Sequence, residues 1–233
     1  MKLLSIDTST PVCSVCISDS QSILGDYVSH SSITHSERLM PAIEFLFSHL
    51  DWGIDELDGL AVINGPGSFT GLRISLSVIK GLAFALKVPV VAMNALEVAA
   101  YQVLFPGLIC PAMDARRGEI FTCLYERAPD GLLARGEPFS TSPSAWRETL
   151  PDEPIYFCGP GAEMYYETLK NHPDSRLVFS DLILARTLSQ LADRKFAKGE
   201  ILSGNELKAA YLRPSDAELK GPRPPKQPAS VSE

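Results

Sequence analysis

Histidine is scarce in this sequence: four in 233 residues, at His30, His35, His49 and His172. None falls in H-x-x-x-H or H-E-x-x-H spacing, so a zinc-hydrolase site has no obvious ligands. Positive charge is short too. Lysine and arginine number 21 against 28 acids, a formal net charge of −7, and such a field repels nucleic acid and anionic membrane. No apolar run approaches the roughly 20 residues that span a bilayer. The opening Met1-Lys2-Leu3-Leu4-Ser5-Ile6-Asp7 has too short an apolar stretch for a signal peptide, which makes the cytoplasm the expected location. The five cysteines are odd in number and set in apolar surroundings, as reduced buried thiols are. Cys13 and Cys16 have C-x-x-C spacing, but residues three apart on a strand point to opposite faces, which argues against a shared metal or redox pair.

What the chain does have is a dense apolar stretch from Leu60 to Leu86. A short strand, Ala61-Val62-Ile63-Asn64, runs into Gly65-Pro66-Gly67-Ser68-Phe69-Thr70-Gly71 and then a long helix. Glycine around proline between apolar runs is turn chemistry, and Ser68 or Thr70 can cap the helix. The polar positions Arg73, Ser77, Lys80 and Lys87 make one narrow stripe, interrupted by Phe84, and nearly everything else is apolar or small. Such a helix is buried on several sides, by a second layer of its own chain or by another protein.

In order, Leu3–Asp7, Val12–Ser18 and Ser22–Ser29 read as an antiparallel meander. A strand ending in Asp7 before Thr8-Ser9-Thr10 can hold a carboxylate and hydroxyls near a phosphate, although these residues are also ordinary turn formers. Thr34-His35-Ser36-Glu37 has capping-box spacing and opens a helix to about Leu50 whose apolar face (Leu39, Met40, Ala42, Ile43, Leu46, Phe47, Leu50, with Phe45) exceeds one contact. Val88–Met93 is a strand, and Asn94 caps the next helix. A charged turn, Asp114–Glu119, joins the strands Leu108–Met113 and Ile120–Tyr125. Ile155–Cys158 is a strand before Gly159-Pro160-Gly161-Ala162 and a helix to about Lys170. A short strand near Leu177 and a helix over Asp181–Gly199, capped by Ser180 or Asp181, follow. These elements predict an α/β protein with an N-terminal lobe over 1–103, a C-terminal lobe over 104–213 whose last helix packs back on the first, and a Pro-rich, disordered tail over 214–233.

Neither glycine turn is a nucleotide fingerprint. Gly65, Gly67 and Gly71 miss G-x-G-x-x-G by one residue, and Leu72-Arg73 stands where a P-loop needs Lys-Ser/Thr. A helix N-terminus still attracts anions, so Asp7, Thr8, Ser9, Gly65 and Gly67 form a candidate nucleotide or phosphate contact. No nucleophile–base–acid set stands out.

Ile6-Asp7-Thr8-Ser9-Thr10, Thr34-His35-Ser36-Glu37-Arg38-Leu39, Asn64–Arg73, Lys80-Gly81-Leu82-Ala83 and Met113–Glu119 together resemble the TsaB (YeaZ) family of bacterial tRNA threonylcarbamoyladenosine synthesis. The likeness runs from Met1 to about Arg213. It implies the actin-like ATPase, ribonuclease H-like fold (sugar kinase/Hsp70/actin), two lobes of mixed sheets flanked by helices. It also implies a non-catalytic subunit that dimerises with TsaD, serving threonylcarbamoyl transfer to adenosine 37 of tRNAs reading ANN codons. TsaE is a further implied partner, and TsaC supplies the threonylcarbamoyl-adenylate. A homodimer forms when the chain is alone, tRNA is met only through the complex, and no membrane is involved. TsaD binds metal through an Asn-His-Leu-Glu-Gly-His run; here Asn94-Ala95-Leu96-Glu97-Val98-Ala99 has alanine at both histidine positions, and no metal is expected. No cofactor is intrinsic, with ADP or ATP held at the complex interface. The implied pairing uses the first two helices, through Leu39, Ile43, Leu46, Phe47, Gly71, Ile74, Ser75, Val78, Leu82 and Ala85. Two other readings remain open: an ATP-dependent kinase or ATPase of the same fold using Asp7, and a zinc glycoprotease.

Overall fold

Strand β2 (Val12–Asp19) is buried along nearly its whole length, and the first half of the molecule is built outward from it. In this computed structural model, which describes residues 1–20, 22–179 and 183–213, β2 lies between β1 (Lys2–Asp7) and β3 (Ser22–His30), antiparallel to both. Beyond β1 come β4 (Gly59–Gly65) and β5 (Val90–Asn94), each parallel to its neighbour, giving the order β3-β2-β1-β4-β5. Side chains alternate across a strand, and β2 uses both faces. Cys13 lies near Arg38 of helix α1 (His35–Phe47), whereas Ser14 and Ser18 bond Ala185 and Ser189 of helix α7 (Leu184–Ala197). The C-x-x-C pair is thus split between faces, and all five cysteines are free and buried.

Helix α2 (Phe69–Leu86) runs from β4 to β5, lies on β4 and sits beside α1. Ser68 caps it, accepting from the Gly71 N–H at 3.2 Å, and Lys87 ends it in the left-handed conformation. At 18 residues it is long and apolar enough to cross a membrane by length and composition, which corrects the expectation that no run comes near; it nevertheless carries Arg73 and Lys80 and packs on the sheet.

Helix α3 (Ala95–Gln102), capped by Asn94, leads to the second sheet. There β6 (Gly107–Arg116) pairs antiparallel with β7 (Glu119–Thr122) and β8 (Tyr125–Ala128), while β9 (Gly131–Ala134) and β10 (Phe139–Thr141) lie outside them. On the other side β11 (Ile155–Cys158) and β12 (Arg176–Val178) run parallel. The two sheets share one plan: an antiparallel meander, then two parallel strands, with a Gly-Pro-Gly turn after the fourth (Gly65-Pro66-Gly67 and Gly159-Pro160-Gly161). Between them a continuous core joins Ile6, Val62 and Leu96 to Ile109, Met113 and Cys158; Trp146 and Phe157 anchor a smaller core under α4 (Pro143–Thr149), α5 (Pro160–Met164) and α6 (Tyr166–Leu169).

Several boundaries differ from expectation. The strand after the charged turn is interrupted at Cys123-Leu124, and the helix after Gly161 is broken at Tyr165 into α5 and α6. Helix α4 and the β8–β9 hairpin are additional to the expected elements. The expected cap at Ser180 or Asp181 and the tail over 214–233 lie outside the described residues. Residues 201–213 carry no helix; they run as a strap along the first sheet, bridging Val90 through Leu202 and burying Leu207.

Candidate functional site

Open α/β sheets bind ligands beyond the carboxyl ends of their parallel strands, which here means the ends of β1 and β4. The five residues expected to contact a phosphate do meet there, and the chain closes over them. The Thr8 hydroxyl donates to the Gly71 carbonyl at 2.8 Å. The Ser68 amide, which a phosphate would use, donates to the Ser9 carbonyl at 2.7 Å. Side chains at Gly67 or Gly71 would collide with the Ser9 and Thr8 carbonyls. On the other side the strap approaches: the Ala210 amide donates to the Asn64 carbonyl at 2.8 Å and the Ala210 carbonyl packs on Gly65. Asp7, Thr8 and Ser9 are buried in consequence. The Asp7 carboxylate accepts from the Ser9 amide at 2.8 Å through one oxygen, while its other oxygen and the Ser9 hydroxyl have no protein partner among the described residues. Burial raises the Asp7 carboxyl to about 6, against the hydrogen bond from the Ser9 amide that lowers it.

The start of α1 locks the same loop. Glu37 reaches back to the Thr34 amide at 3.2 Å, the capping contact its spacing predicted. One turn on, buried Arg38 donates to the Ser29 carbonyl (2.8 Å) and the Pro11 carbonyl (3.2 Å), and the His35 ring contacts the Thr10 carbonyl at 2.9 Å. Burial and the Arg38 charge hold His35 below its ordinary pKa. Arg38 therefore ties the β1–β2 turn to β3, and His35 fastens that turn to the start of α1.

The remaining surface of interest is the outer face of α2. Arg73, Ser77, Lys80, Phe84 and Lys87 are all exposed, Phe84 at 84%. Of the ten residues expected to meet a partner, Leu39, Ile43, Leu46, Gly71 and Ser75 are buried in the chain's own core. Their place on the outside is corrected: α1 turns its strongest apolar positions to the sheet, as one stripe of an amphipathic helix does. Phe47, Ile74, Val78 and Leu82 are half-buried and Ala85 is exposed. Between the helices lies a groove of about 500 Å³ lined by Ser36, Leu39, Met40, Phe69, Thr70, Arg73, Ile74, Ser77 and Val78. Gly81 is exposed, and a Cβ there would meet nothing within 4 Å. Glycine inside a helix costs roughly 1 kcal/mol against alanine, and nothing in this chain's packing requires it.

Sequence reasoning missed what closes the end of that groove. Tyr211 of the strap stacks on Phe69 with ring centroids 4.9 Å apart, Arg73 lies over the same Phe69 ring at 3.8 Å, and the Arg73 Nε donates to the Tyr211 hydroxyl at 3.2 Å. Periodicity carries no signal for a segment that is neither helix nor strand. Two residues on, Arg213 pairs with Glu119 of β7 at 3.2 Å, so the strap also reaches the second sheet. The charged turn is a hairpin end, with Asp114 accepting from the Arg116 amide at 2.7 Å. Ala95 and Ala99 are buried, and no group of three or more His, Cys, Asp or Glu side chains able to hold a metal occurs among the described residues.

Comparison with known proteins bears on this arrangement. A family model described as TsaD, tRNA N6-adenosine threonylcarbamoyltransferase, matches residues 28–143. The tRNA threonylcarbamoyladenosine biosynthesis protein TsaB of Bacillus subtilis is 34% identical over 175 residues, 73% of this chain and 76% of that one. Among solved structures, YeaZ from Pseudomonas aeruginosa superposes with a TM-score of 0.80 at 29% identity, covering 91% of this chain and 99% of that one. The (R)-2-hydroxyglutaryl-CoA dehydratase component A of Acidaminococcus fermentans superposes at 0.52 with 8% identity over 84% of this chain and 99% of that one, a likeness of fold alone. The architecture is that of the actin-like ATPases, two mixed sheets flanked by helices.

Proposed function

This chain belongs to the TsaB family of tRNA threonylcarbamoyladenosine biosynthesis, and from that premise we propose that it is a non-catalytic subunit pairing with TsaD through the outer face of α2. The observation that carries the reading is the pairing of Phe84, 84% exposed, with Gly81, which opens onto empty space three residues before it. Monomers hide large aromatic side chains where they can, and a contiguous exposed apolar face marks an interaction site. Glycine mid-helix lets a second backbone come close. The partner-facing residues are then Ile74, Val78, Leu82 and Ala85, with Met40 across the groove, carried by a first lobe over 1–103. Burying several such side chains contributes about 1.5–3 kcal/mol each before the cost of association.

In this reading the chemistry, threonylcarbamoyl transfer to adenosine 37, belongs to TsaD, and this chain supports it. TsaE joins the pair, ADP or ATP sits at their interface, tRNA is met through the complex in the cytoplasm, and the lone chain pairs with itself through the same face. The closed crevice fits this division of labour, because Asp7, Thr8 and Ser9 are buried under the strap and the glycine turn. The same burial disfavours a kinase or ATPase acting on its own. The test is size-exclusion chromatography of this chain mixed with TsaD from the same organism. Val78→Asp and Gly81→Leu are expected to abolish the mixed peak while circular dichroism stays that of the native chain. A mixed peak retained by both variants rejects the reading.

A further inference from the structure

The outer face of α2 is cationic as well as apolar, on a chain whose net charge is −7. Arg73, Lys80 and Lys87 recur every seven residues along one exposed line, and α2 contains no Asp or Glu. Elsewhere on this molecule some cations have found carboxylates: exposed Arg186 with Asp26, and half-buried Lys2 with Glu56 and Lys195 with Glu200. No ion pair involves Arg73, Lys80 or Lys87 among the described residues. Arg73 is moreover held in place. Its guanidinium lies over the Phe69 ring and its Nε is tied to the Tyr211 hydroxyl, which leaves the two terminal nitrogens for a ligand beside the groove that Arg73 lines. A planar, oriented guanidinium fork is the geometry that takes a carboxylate through two parallel hydrogen bonds.

We infer that the element seated on this face is an acidic amphipathic helix of the partner protein, whose carboxylates meet Arg73, Lys80 and Lys87. The inference rests on the docking reading above. Charge complementarity selects the occupant: unpaired cations at helical spacing ask for acids at the same spacing. Gly81 favours a crossing helix over a lipid surface, since a bilayer gains nothing from a notch one side chain deep. A second copy of this chain offers Glu37 and Glu44 on α1, also seven apart, but Glu37 is already engaged at Thr34.

The test measures the affinity of the intact chain for TsaD from the same organism by titration calorimetry at low and high sodium chloride, from about 50 to 500 mM, a range over which the screening length shrinks severalfold. The wild-type complex is expected to weaken steeply with salt. The double variant Lys80→Glu/Lys87→Glu is expected to bind roughly tenfold or more weakly at low salt and to lose the salt dependence, and Arg73→Gln to behave likewise in smaller measure. Wild-type affinity in these variants, with Gly81→Leu still abolishing the complex, overturns the acidic partner and leaves the docking face standing. If Gly81→Leu also binds normally, the docking reading itself fails. Two further results overturn the choice of occupant: self-association that falls in the double variant while TsaD affinity holds, or sedimentation of the wild-type chain with phosphatidylserine vesicles.

Discussion

Thr8 and Gly71 are locked together across the top of the first sheet: the Thr8 hydroxyl donates to the Gly71 carbonyl at 2.8 Å, and the Thr8 carbonyl occupies the space a Gly71 side chain would need. The first turn of α2 therefore lies directly on the end of β1. Gly71→Ala pushes backbone against backbone, which no rotamer change relieves. It is expected to destabilise by about 2–4 kcal/mol, read from the urea midpoint.

Gly81, ten residues further along the same helix, predicts the opposite sign. A methyl group there meets nothing, so Gly81→Ala is expected to stabilise the isolated chain by roughly 0.5–1 kcal/mol and raise its melting temperature. The same variant is expected to weaken pairing with TsaD. A substitution that improves the lone subunit and impairs the pair is one that only an interface explains.

Asp7 makes stability depend on pH in a defined window. Its carboxyl is raised in the fold to about 6 from an ordinary 3.8, so the native state holds the proton more tightly than the unfolded one. Whatever stability that proton confers is complete below the unfolded value and is lost as pH rises through 6. Asp7→Asn keeps an acceptor for the Ser9 amide and removes the buried charge. It is expected to gain about 1–3 kcal/mol at pH 7.5 and nothing at pH 3.5, measured by urea unfolding at both values. Equal gains at the two pH values would refute the assignment.

Arg38 is buried yet serves three carbonyl and hydroxyl acceptors, Pro11, Ser29 and the Ser29 side chain. Arg38→Ala takes the donor from these half-buried and exposed acceptors and removes the packing of a buried side chain, and is expected to cost about 2–4 kcal/mol. Amide hydrogen exchange should quicken at β3 and at the β1–β2 turn before it does in β4.

Tyr211→Ala removes the stack on Phe69 and the acceptor for Arg73. The lone chain is expected to lose about 0.5–1.5 kcal/mol. Affinity for TsaD should fall as well, because Arg73 is then free to wander. Tyr211→Phe keeps the stack and separates the two effects.

Much of this was legible from residue pattern. The three-stranded meander, the capping box at Thr34, a cap at Ser68 or Thr70, the Asn94 cap and the polar stripe Arg73-Ser77-Lys80-Lys87 follow from spacing and turn chemistry, which act over a few residues; that Phe84, which interrupts the stripe, is exposed does not. What stayed hidden was long-range. Leu39, Ile43 and Ser75 looked like surplus apolar or small surface because a helical wheel does not say how far a neighbouring sheet extends. The strap over 201–213 has no period of its own, and its contacts with Asn64, Gly65 and Phe69 span nearly 150 positions of sequence. The cluster Asp7, Thr8, Ser9, Gly65 and Gly67 was grouped from motif order, but its closure depends on carbonyl positions that no pattern reports.

The strap also sets a schedule for synthesis. Strands β1 to β5 leave the ribosome early, yet their far face waits for α7 and their glycine turn waits for Ala210, both translated after the entire second sheet. The half of the molecule made first is therefore the half finished last, and until the final turns emerge its apolar strands are candidates for chaperone capture.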